Sequence, residues 1–343
     1  MKVQNTVIHL EGLSKHFKVL NRREGLGGSL LDLFSRNYRS IKAVENLSLD
    51  IRAGEIVGFL GPNGAGKSTA IKMMTGVLSP TSGVVSVNGM NPFKERIRFV
   101  RGIGVVFGQR TQLWWELPVR ESFRLLKEIF AIPTETYERN LKRFEELVNL
   151  KELYGQQVRN LSLGQRMLCD IAASFLHNPS IIFLDEPTIG LDVAVKAQIR
   201  TLIRELNREN GTTIILTTHD IGDVEALCKR IVLIDKGQLI YDGETESFNR
   251  IFGSYRTLRL LSREGETENM LRLLPVLGER FKVSAIDVEN AASHWFSVTV
   301  DQDKTSLSDV LSWALTNLPV QDVKIQEIST ESVIAKVYAG GMV

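Results

Sequence analysis

The sequence contains no long hydrophobic run. No stretch of its 343 residues approaches the roughly 18–20 uninterrupted apolar residues of a transmembrane helix. The first residues, MKVQNTVIHLEGLSKHF, also lack the apolar block that a secretory signal peptide needs. We therefore expect a chain that does not itself cross a membrane and that resides in the cytoplasm.

Cysteine is scarce as well. The two cysteines, Cys169 and Cys228, show no CxxC or metal-type spacing, and they are too few to cross-link a chain of this length. Both are predicted to be small core residues, because free cysteine packs as a small hydrophobic side chain. The sequence therefore gives no sign of a disulfide scaffold or of a thiolate metal site.

No excess of one charge is present. The chain has 42 Lys and Arg residues against 40 Asp and Glu residues, for a formal net charge of +2. After Arg250 there are nine basic and twelve acidic residues, so the tail carries −3 and the first 250 residues carry +5. Because nucleic-acid binding requires a clustered basic face, we expect no nucleic-acid partner.

One short basic stretch stands out in the first part of the chain. It surrounds the segment GLGGSLLDLF, where only Glu24 and Asp32 are acidic. The segment is interpreted either as a surface loop with one short helix or as an amphipathic docking or membrane-surface element. The basic residues are Arg22, Arg23, Arg36, Arg39 and Lys42.

Strand-like and helix-like segments alternate over the first 250 residues, which is typical of an α/β domain with a mainly parallel sheet. Two helices are predicted within 118–150, separated at Pro133. A third helix is predicted after Ser162, a plausible N-cap, and a fourth over 196–210. The predicted strands are 3–19, 46–51, 55–60, 82–89, 103–109, 180–187, 212–220 and 230–243.

The pattern changes after about Phe252. Strand, helix, two strands, helix, strand and a final helix over 331–340 follow one another. This order predicts a small α+β domain of the split-βαβ type over 253–343, with Trp295 and Trp313 as core residues. The chain is therefore divided into a first domain at 1–250 and this tail domain.

A glycine-rich segment after the strand at 55–60 fits the pattern GxxxxGK[ST]. Glycines let backbone N–H groups close around phosphate oxygens, and the following helix adds its positive N-terminal end. Lys67 is predicted to reach the β- and γ-phosphates, and Ser68 to bind Mg²⁺. The predicted phosphate-binding residues are Gly61, Pro62, Asn63, Gly64, Ala65, Gly66, Lys67, Ser68 and Thr69.

Polar residues also follow three apolar strands. Asp185 and Glu186 end the strand IIFLDE, His219 ends TIILTTHD, and Gln109 follows IGVVFG. Open α/β sheets place their ligands at the carboxyl ends of strands. We expect Asp185 to hold Mg²⁺, Glu186 to deprotonate the attacking water, His219 to contact the γ-phosphate, and Gln109 to contact the metal or the water.

The segment LSLGQR at 161–166 resembles the signature of ABC-type ATPases. It lies between a Walker A loop (61–69) and a Walker B strand (181–186), and Gly190-Leu191-Asp192 and His219 follow in the family's order. The resemblance covers about residues 5–245. It implies a P-loop NTPase fold with a mainly parallel sheet, an antiparallel β part, a helical subdomain at about 110–160 and an insertion at about 20–42.

The resemblance also implies that ATP and Mg²⁺ are bound between two such chains. Ser162, Gly164 and Gln165 would then contact the nucleotide of the second chain, and Asp192 would couple the two sites. An aromatic ring stacks on adenine in this family: Phe17 fits by its local context, and Tyr38 fits by its distance from the phosphate loop. Leu163 replaces the first glycine of the common signature LSGGQ, which puts close backbone approach in question at that position.

Three features together resemble the bacterial drug, viologen and polysaccharide exporter branch: the insertion at about 20–42, the segment LSLGQR and the loop GFLGPNGAGKS. The expected function is that of an ATPase subunit, peripheral on the cytoplasmic face of the membrane, that pairs with a separate permease and with a second copy or a related subunit. An importer ATPase, whose tail is usually all-β, and a soluble ABC ATPase without transport are the alternatives. Trp114 and Trp115 serve either local packing or contact with the permease.

Overall fold

The computed structural model describes residues 5–20, 38–108, 110–252, 255–283, 285–290, 294–327 and 333. The chain divides into two compact units, Met1–Gly243 and Glu244–Val343. Among the described residues, no helix is long and apolar enough to span a membrane.

The first unit begins with a three-stranded antiparallel sheet. Its strands are β1 (Thr6–Leu20), β2 (Tyr38–Arg52) and, after β3 (Ile56–Leu60), β4 (Ser82–Val87), in the order β2-β1-β4. Within the predicted insertion at about 20–42, residues 38–42 form the start of β2, where Tyr38 pairs with Leu20. The remaining residues, 21–37, lie outside the described ones, and they include the segment GLGGSLLDLF.

A six-stranded sheet forms the centre of the first unit, and β3 lies in its interior. The order is β5-β6-β7-β3-β8-β9, and the pairs from β5 to β8 are parallel. Strands β6 and β7 are apolar and buried along nearly their whole length, as strands covered on both faces must be. The bounds are β5 (Ile103–Phe107), β6 (Ile181–Asp185), β7 (Thr213–Thr218), β8 (Arg230–Asp235) and β9 (Gln238–Glu244).

Helices surround this sheet. The predicted break at Pro133 is confirmed, because Pro133 immediately precedes a helix whose buried residues repeat at three- and four-residue spacing. Short 3₁₀ turns at Leu150–Leu153 and Val158–Asn160 follow it. The helices are α1 (Lys67–Met74), α2 (Arg96–Val100), α3 (Val119–Ile129), α4 (Thr134–Val148), α5 (Leu163–Phe175), α6 (Val193–Asn210) and α7 (Ile221–Leu227).

The core of the first unit joins the two sheets and α1. Apolar side chains of β1, such as Ile8 and Leu10, pack in one cluster with Phe59 of β3 and Phe183 of β6. Cys169 and Cys228 are buried thiols, as predicted, and burial raises the pKa of each thiol well above its usual value. The strand before the phosphate loop and the helix after it, β3 and α1, are therefore both anchored in one continuous apolar core.

The second unit is a four-stranded antiparallel sheet with the order β11-β12-β10-β13, covered by two helices. Leu274 of α9 and Ala314 of α10 pack with Leu258, Phe296 and Val298 of the sheet. This is the predicted split-βαβ arrangement. Its elements are α8 (Thr245–Phe252), β10 (Tyr255–Ser262), α9 (Thr267–Phe281), β11 (Ala285–Asn290), β12 (Trp295–Asp301), α10 (Leu307–Asn317) and β13 (Val320–Glu327).

The two tryptophans predicted as core residues of the tail differ in their surroundings. Trp313 borders the core, but Trp295 is only partly buried, with Arg259 Cζ 4.9 Å and Lys324 Nζ 5.0 Å from its ring centre. Trp295 is therefore a surface aromatic beside two cations rather than a core residue. Apart from Val333, the predicted final helix at 331–340 lies outside the described residues.

Because the two units have separate cores, we expect Phe296→Ala to destabilise the second unit by about 3–5 kcal/mol. Phe296 is fully buried, and its loss leaves a cavity in the tail core. Scanning calorimetry should show one transition lowered and the first unit's transition unchanged. Leu315→Ala is the control, since Leu315 is 55% exposed in the same unit. Equal shifts of both transitions would contradict separate cores.

Candidate functional site

The glycine-rich segment at 61–69 forms a tight loop between β3 and α1. At Gly61 a Cβ atom would lie 2.2 Å from the carbonyl oxygen of Ile234. At Gly66, where φ is +107°, it would lie 2.4 Å from the carbonyl oxygen of Ala43. Only glycine fits at these two positions. The loop is therefore pressed against its neighbouring strands, with its N–H groups at the start of α1.

Lys67 lies at the centre of this loop and is almost fully buried. Its Nζ donates hydrogen bonds to the carbonyl oxygens of Gly61 at 2.6 Å and Pro62 at 3.1 Å. It also lies 3.4 Å from Glu186 Oε1. The ammonium is therefore paired with a carboxylate and held where the loop encloses it.

Asp185, at the carboxyl end of β6, meets the loop through Ser68. Ser68 Oγ donates to Asp185 Oδ1 at 2.9 Å, and Thr217 Oγ1 donates to the same oxygen at 2.6 Å. Hydroxyl and carboxylate oxygens are the donors that Mg²⁺ prefers, and Mg²⁺ is bound through one or two carboxylates together with phosphates and water. No group of three or more acidic, His or Cys ligands occurs among the described residues. Ser68 and Asp185 therefore fit a Mg²⁺ shared with phosphates rather than an all-protein metal cage.

Glu186 follows directly and has a left-handed backbone, with φ of +53°. Its N–H lies 3.1 Å from the carbonyl oxygen of Thr217 and 3.0 Å from Thr217 Oγ1. Its second carboxylate oxygen, Oε2, lies 3.0 Å from His219 Nδ1. Such a backbone is uncommon for a residue with a side chain and persists only where the surroundings fix it. Here it turns the carboxylate between Lys67 and His219.

The structure thus brings together five residues that the sequence singles out: Lys67, Ser68, Asp185, Glu186 and His219. They come from α1 and from the ends of β6 and β7, and Ser68 and Asp185 are 117 positions apart in the chain. Parallel neighbouring strands place their carboxyl ends at one edge of the sheet. At this edge the three elements present these groups close together, so that one ligand could contact them all.

A second cluster forms around the start of α5. Ser162 caps the helix by accepting from the Gln165 N–H, and Gln165 Oε1 accepts from the Ser162 N–H in return, so the predicted N-cap is confirmed. A Cβ on Gly164 would lie 2.7 Å from Val195 Cγ1, and Asp192 caps α6 by accepting from the Val195 N–H at 3.0 Å. Among the described residues, no hydrogen bond or ion pair joins this cluster to the phosphate loop.

The remaining candidates are placed less completely. Phe17 lies in β1, pairs with Ile41 and is 38% exposed, with Lys15 Nζ 5.4 Å from its ring centre. Tyr38 begins β2, opposite Leu20. Gln109 lies outside the described residues.

Two helices of the first unit, α5 and α7, each carry a buried carboxylate that the sequence analysis does not predict. Asp170 in α5 accepts from Thr111 Oγ1 at 2.8 Å and from the Gln112 N–H at 3.0 Å, and burial raises its pKa to about 6. Its signal is a charge at an apolar position of the helix repeat. Asp223 in α7 is fully buried and accepts from Thr188 Oγ1 and from Arg200 Nε, the latter at 3.0 Å.

The Asp223 contacts hold three site-bearing segments in one arrangement. Thr188 follows Glu186, Arg200 lies in α6 behind Asp192, and Asp223 lies in the helix behind His219. Lys196 and Asp220 form a second α6–α7 ion pair at 2.9 Å. Sequence alone offers no local signal for such pairings, because each partner comes from a different element.

Comparison with known proteins supports one family. Residues 44–189 match the family described as "ABC transporter". The ABC transporter ATP-binding protein NatA of Bacillus subtilis is 33% identical over 214 residues, which are 62% of this chain and 87% of NatA.

Two further relatives carry names that state a direction of transport. The Methionine import ATP-binding protein MetN of Geobacillus kaustophilus is 38% identical over 212 residues, or 60% of this chain and 61% of MetN. The Nod factor export ATP-binding protein I of Neorhizobium galegae is 37% identical over 207 residues, or 60% of this chain and 59% of the relative.

A solved structure has the same fold. The dimeric, post-hydrolysis structure of the ATP-binding cassette MJ0796 with ADP and Pi has a TM-score of 0.57 and 26% identity, and the match covers 69% of this chain and 98% of that one. The similarity to NatA spans most of that protein, and the phosphate loop and strand-end carboxylates meet at one edge of the sheet. The chain therefore belongs to the ABC transporter family, as one of its ATP-binding, ATP-hydrolysing subunits.

Proposed function

We propose that this ATPase powers an exporter: two subunits close around two ATP molecules with Mg²⁺, hydrolyse them and reopen, and a separate permease carries the cargo. The observation that carries the hydrolytic part is the contact chain from Lys67 through Glu186 to His219, beside the Ser68–Asp185 pair. The ATPase would lie on the cytoplasmic face of the membrane, bound through the permease.

In this proposal each residue has a separate task in hydrolysis. Loop N–H groups and Lys67 hold the β- and γ-phosphates. Ser68 and Asp185 would bind Mg²⁺, which neutralises charge that develops on the phosphate oxygens. Glu186 takes the proton of the water whose oxygen bonds to the γ-phosphorus, and ADP leaves with the electron pair of the broken P–O bond. His219 orients Glu186 and contacts the γ-phosphate.

In this proposal ATP is bound between two chains, and the residues around the start of α5 in one chain contact the nucleotide held by the phosphate loop of the other. Ser162 is exposed at a helix N-terminus, and a helix N-terminus favours phosphate. Because Gly164 packs on the start of α6, Ser162 and Asp192 present a single surface to a second chain. The solved relative MJ0796, described as a dimer with ADP and Pi, supports this arrangement. Gln109 remains a predicted metal or water contact. Gln165 supports the nucleotide contact of Ser162 by accepting a hydrogen bond from the Ser162 N–H in the helix cap.

Phe17 is the proposed adenine platform. Its ring is 38% exposed in β1, and an exposed aromatic face can stack on a base. Tyr38 is the alternative by its position in the chain. Trp114 and Trp115 are 38% and 48% exposed at the start of the helical subdomain, which supports their proposed contact with a permease.

The direction of transport rests on the tail. The second unit is α+β, whereas importer ATPases usually end in an all-β module. The Nod factor export relative supports export, and the methionine import relative, at similar identity, supports import. Import is therefore the second candidate.

Glu186→Gln is expected to bind ATP and to lower the rate of hydrolysis by about 10²–10⁴-fold, because the amide cannot accept the proton. Phosphate release and nucleotide affinity measure the two effects, and sedimentation should show a stable ATP-bound dimer. Lys67→Ala is the contrasting variant and should lose nucleotide binding itself. Wild-type turnover by Glu186→Gln would exclude Glu186 as the base.

Ser162→Arg should prevent ATP-driven dimerisation, since its side chain projects toward the second chain's nucleotide, while monomer affinity for ATP stays unchanged. Ser162→Asp is the matched variant: it preserves the helix cap but places a negative charge against phosphate, and it should also remain monomeric. A normal ATP-bound dimer of either variant in sedimentation would argue against a two-chain site.

Export can be tested with the ATPase and the permease encoded beside it, reconstituted in vesicles. We expect ATP hydrolysis to rise when members of a panel of hydrophobic drugs, viologens and oligosaccharides are presented on the ATPase side, without a binding protein. Stimulation only by a solute-binding protein added on the opposite side would identify an importer. No stimulation of any reconstituted permease complex would remove the transport proposal.

A further inference from the structure

A buried carboxylate in the middle of α5 lies outside the hydrolytic cluster. Asp170 is 4% exposed, and one of its oxygens accepts from Thr111 Oγ1 and from the Gln112 N–H. The Gln112 side-chain amide donates back to the Asp170 carbonyl at 2.8 Å, and the Leu113 N–H donates to Thr111 Oγ1 at 3.1 Å. We call these residues, Asp170 and Thr111–Leu113, the Asp170 clamp.

The segment that enters the clamp is fixed to the catalytic edge of the sheet at its other end. The Gly108 N–H donates to the carbonyl oxygen of Asp185 at 2.8 Å, and Phe107 pairs with Asp185 in the parallel ladder. The Arg110 N–H donates to the Phe107 carbonyl at 2.9 Å. A short stretch of chain therefore connects the backbone of Asp185 directly to Asp170.

Packing does not hold this stretch on one side. A cavity of about 530 Å³ borders Phe107, Gly108 and Arg110, and both Asp170 and Asp185 line it. A segment beside a cavity lacks neighbours that would resist its displacement on that side. On the side of the cavity, the hydrogen bonds to Asp170 tie the segment to α5 where packing does not.

Helix α5 also carries Ser162 at its start. Asp170 lies about 12 Å along the helix from Ser162, at 1.5 Å per residue. Arg166 Cζ lies 5.2 Å from the ring centre of Trp115, a second contact between this helix and the same stretch of chain. A shift of the segment relative to the helix would therefore change the position of Ser162 relative to Asp185.

We propose that Asp170 is a positioning residue for ATP hydrolysis: it ties the segment after β5 to α5, so that Asp185 and Ser162 keep one relative position during turnover. This rests on the proposed roles of Asp185 and Ser162. Asp170 touches neither residue and acts through Thr111 and Gln112.

The test compares Asp170→Ala, which removes the acceptor, with Asp170→Asn, whose amide oxygen can accept the same two hydrogen bonds. Hydrogen exchange should show the Gln112 amide deprotected in the Ala variant and still protected in the Asn variant. We expect kcat to fall about 10-fold in the Ala variant, the lower end for residues that act through another group, with unchanged ATP affinity. Asn should restore most of the rate.

Ser174→Ala is the matched control, because Ser174 is a buried polar residue of the same helix whose hydroxyl donates only within the helix, to Ile171. It should match the wild type in both measurements. If Asp170→Ala does not fold, two other variants replace it and should each lower kcat. Thr111→Val removes both hydrogen bonds of the Thr111 hydroxyl, and Gln112→Ala removes the side-chain bond to the Asp170 carbonyl.

Wild-type kcat in a folded variant that has lost Gln112 protection would overturn the positioning role, and retained protection in Asp170→Ala would overturn the clamp. The result of this test can be distinguished from a failure of the proposed ATPase mechanism. The assay uses preparations in which the wild type hydrolyses ATP and Glu186→Gln does not, so a wild-type rate in the Asp170 variants counts against this inference alone.

Discussion

The buried ammonium of Lys67 is the interaction on which the rest of the site depends. A charge this far from water costs several kcal/mol unless it is paired and hydrogen-bonded. Two loop carbonyls and the Glu186 carboxylate provide that compensation. Glu186 reaches Lys67 because β6 and β3 both flank β7 and all three strands run parallel. The order of the strands in the sheet therefore determines which catalytic side chains can contact Lys67.

The buried acids away from the phosphate loop extend the same constraint to neighbouring elements. Asp223 joins the segments behind Glu186, Asp192 and His219, and Asp170 joins α5 to the segment beside Asp185. A buried carboxylate is stable only while its donors stay in place. Each of these acids therefore holds a helix that carries or adjoins a site residue against a neighbouring segment, away from the phosphate loop's own hydrogen bonds.

Local signals explain what the sequence predicts well. The phosphate loop, the acidic strand end and the Ser162 cap each depend on residues a few positions apart, and the structure brings the loop and the strand end together. Pairings between distant residues leave no such signal: Thr111 and Asp170 are 59 positions apart, and Thr188 and Asp223 are 35 apart. The strand at residues 38–42, within the predicted insertion, depends on pairing with β1, which the local sequence does not indicate. Trp295 was misplaced because strand alternation does not say which face of the sheet is covered.

Position 163 shows how the chain accommodates its departure from the common LSGGQ signature. The glycine that packing requires is Gly164, where a Cβ would meet Val195 at 2.7 Å. At Gly190, which has a left-handed φ of +72°, an added Cβ would lie 3.6 Å from Leu163 Cδ2, an ordinary van der Waals distance, so Leu163 lies beside Gly190 without needing a glycine there for space. Leu163 thus lies against the segment that leads to Asp192 without obstructing the start of α5. A bulky residue at position 163 is therefore compatible with the close packing of Gly164 on Val195, and Ser162 keeps its cap and its exposure.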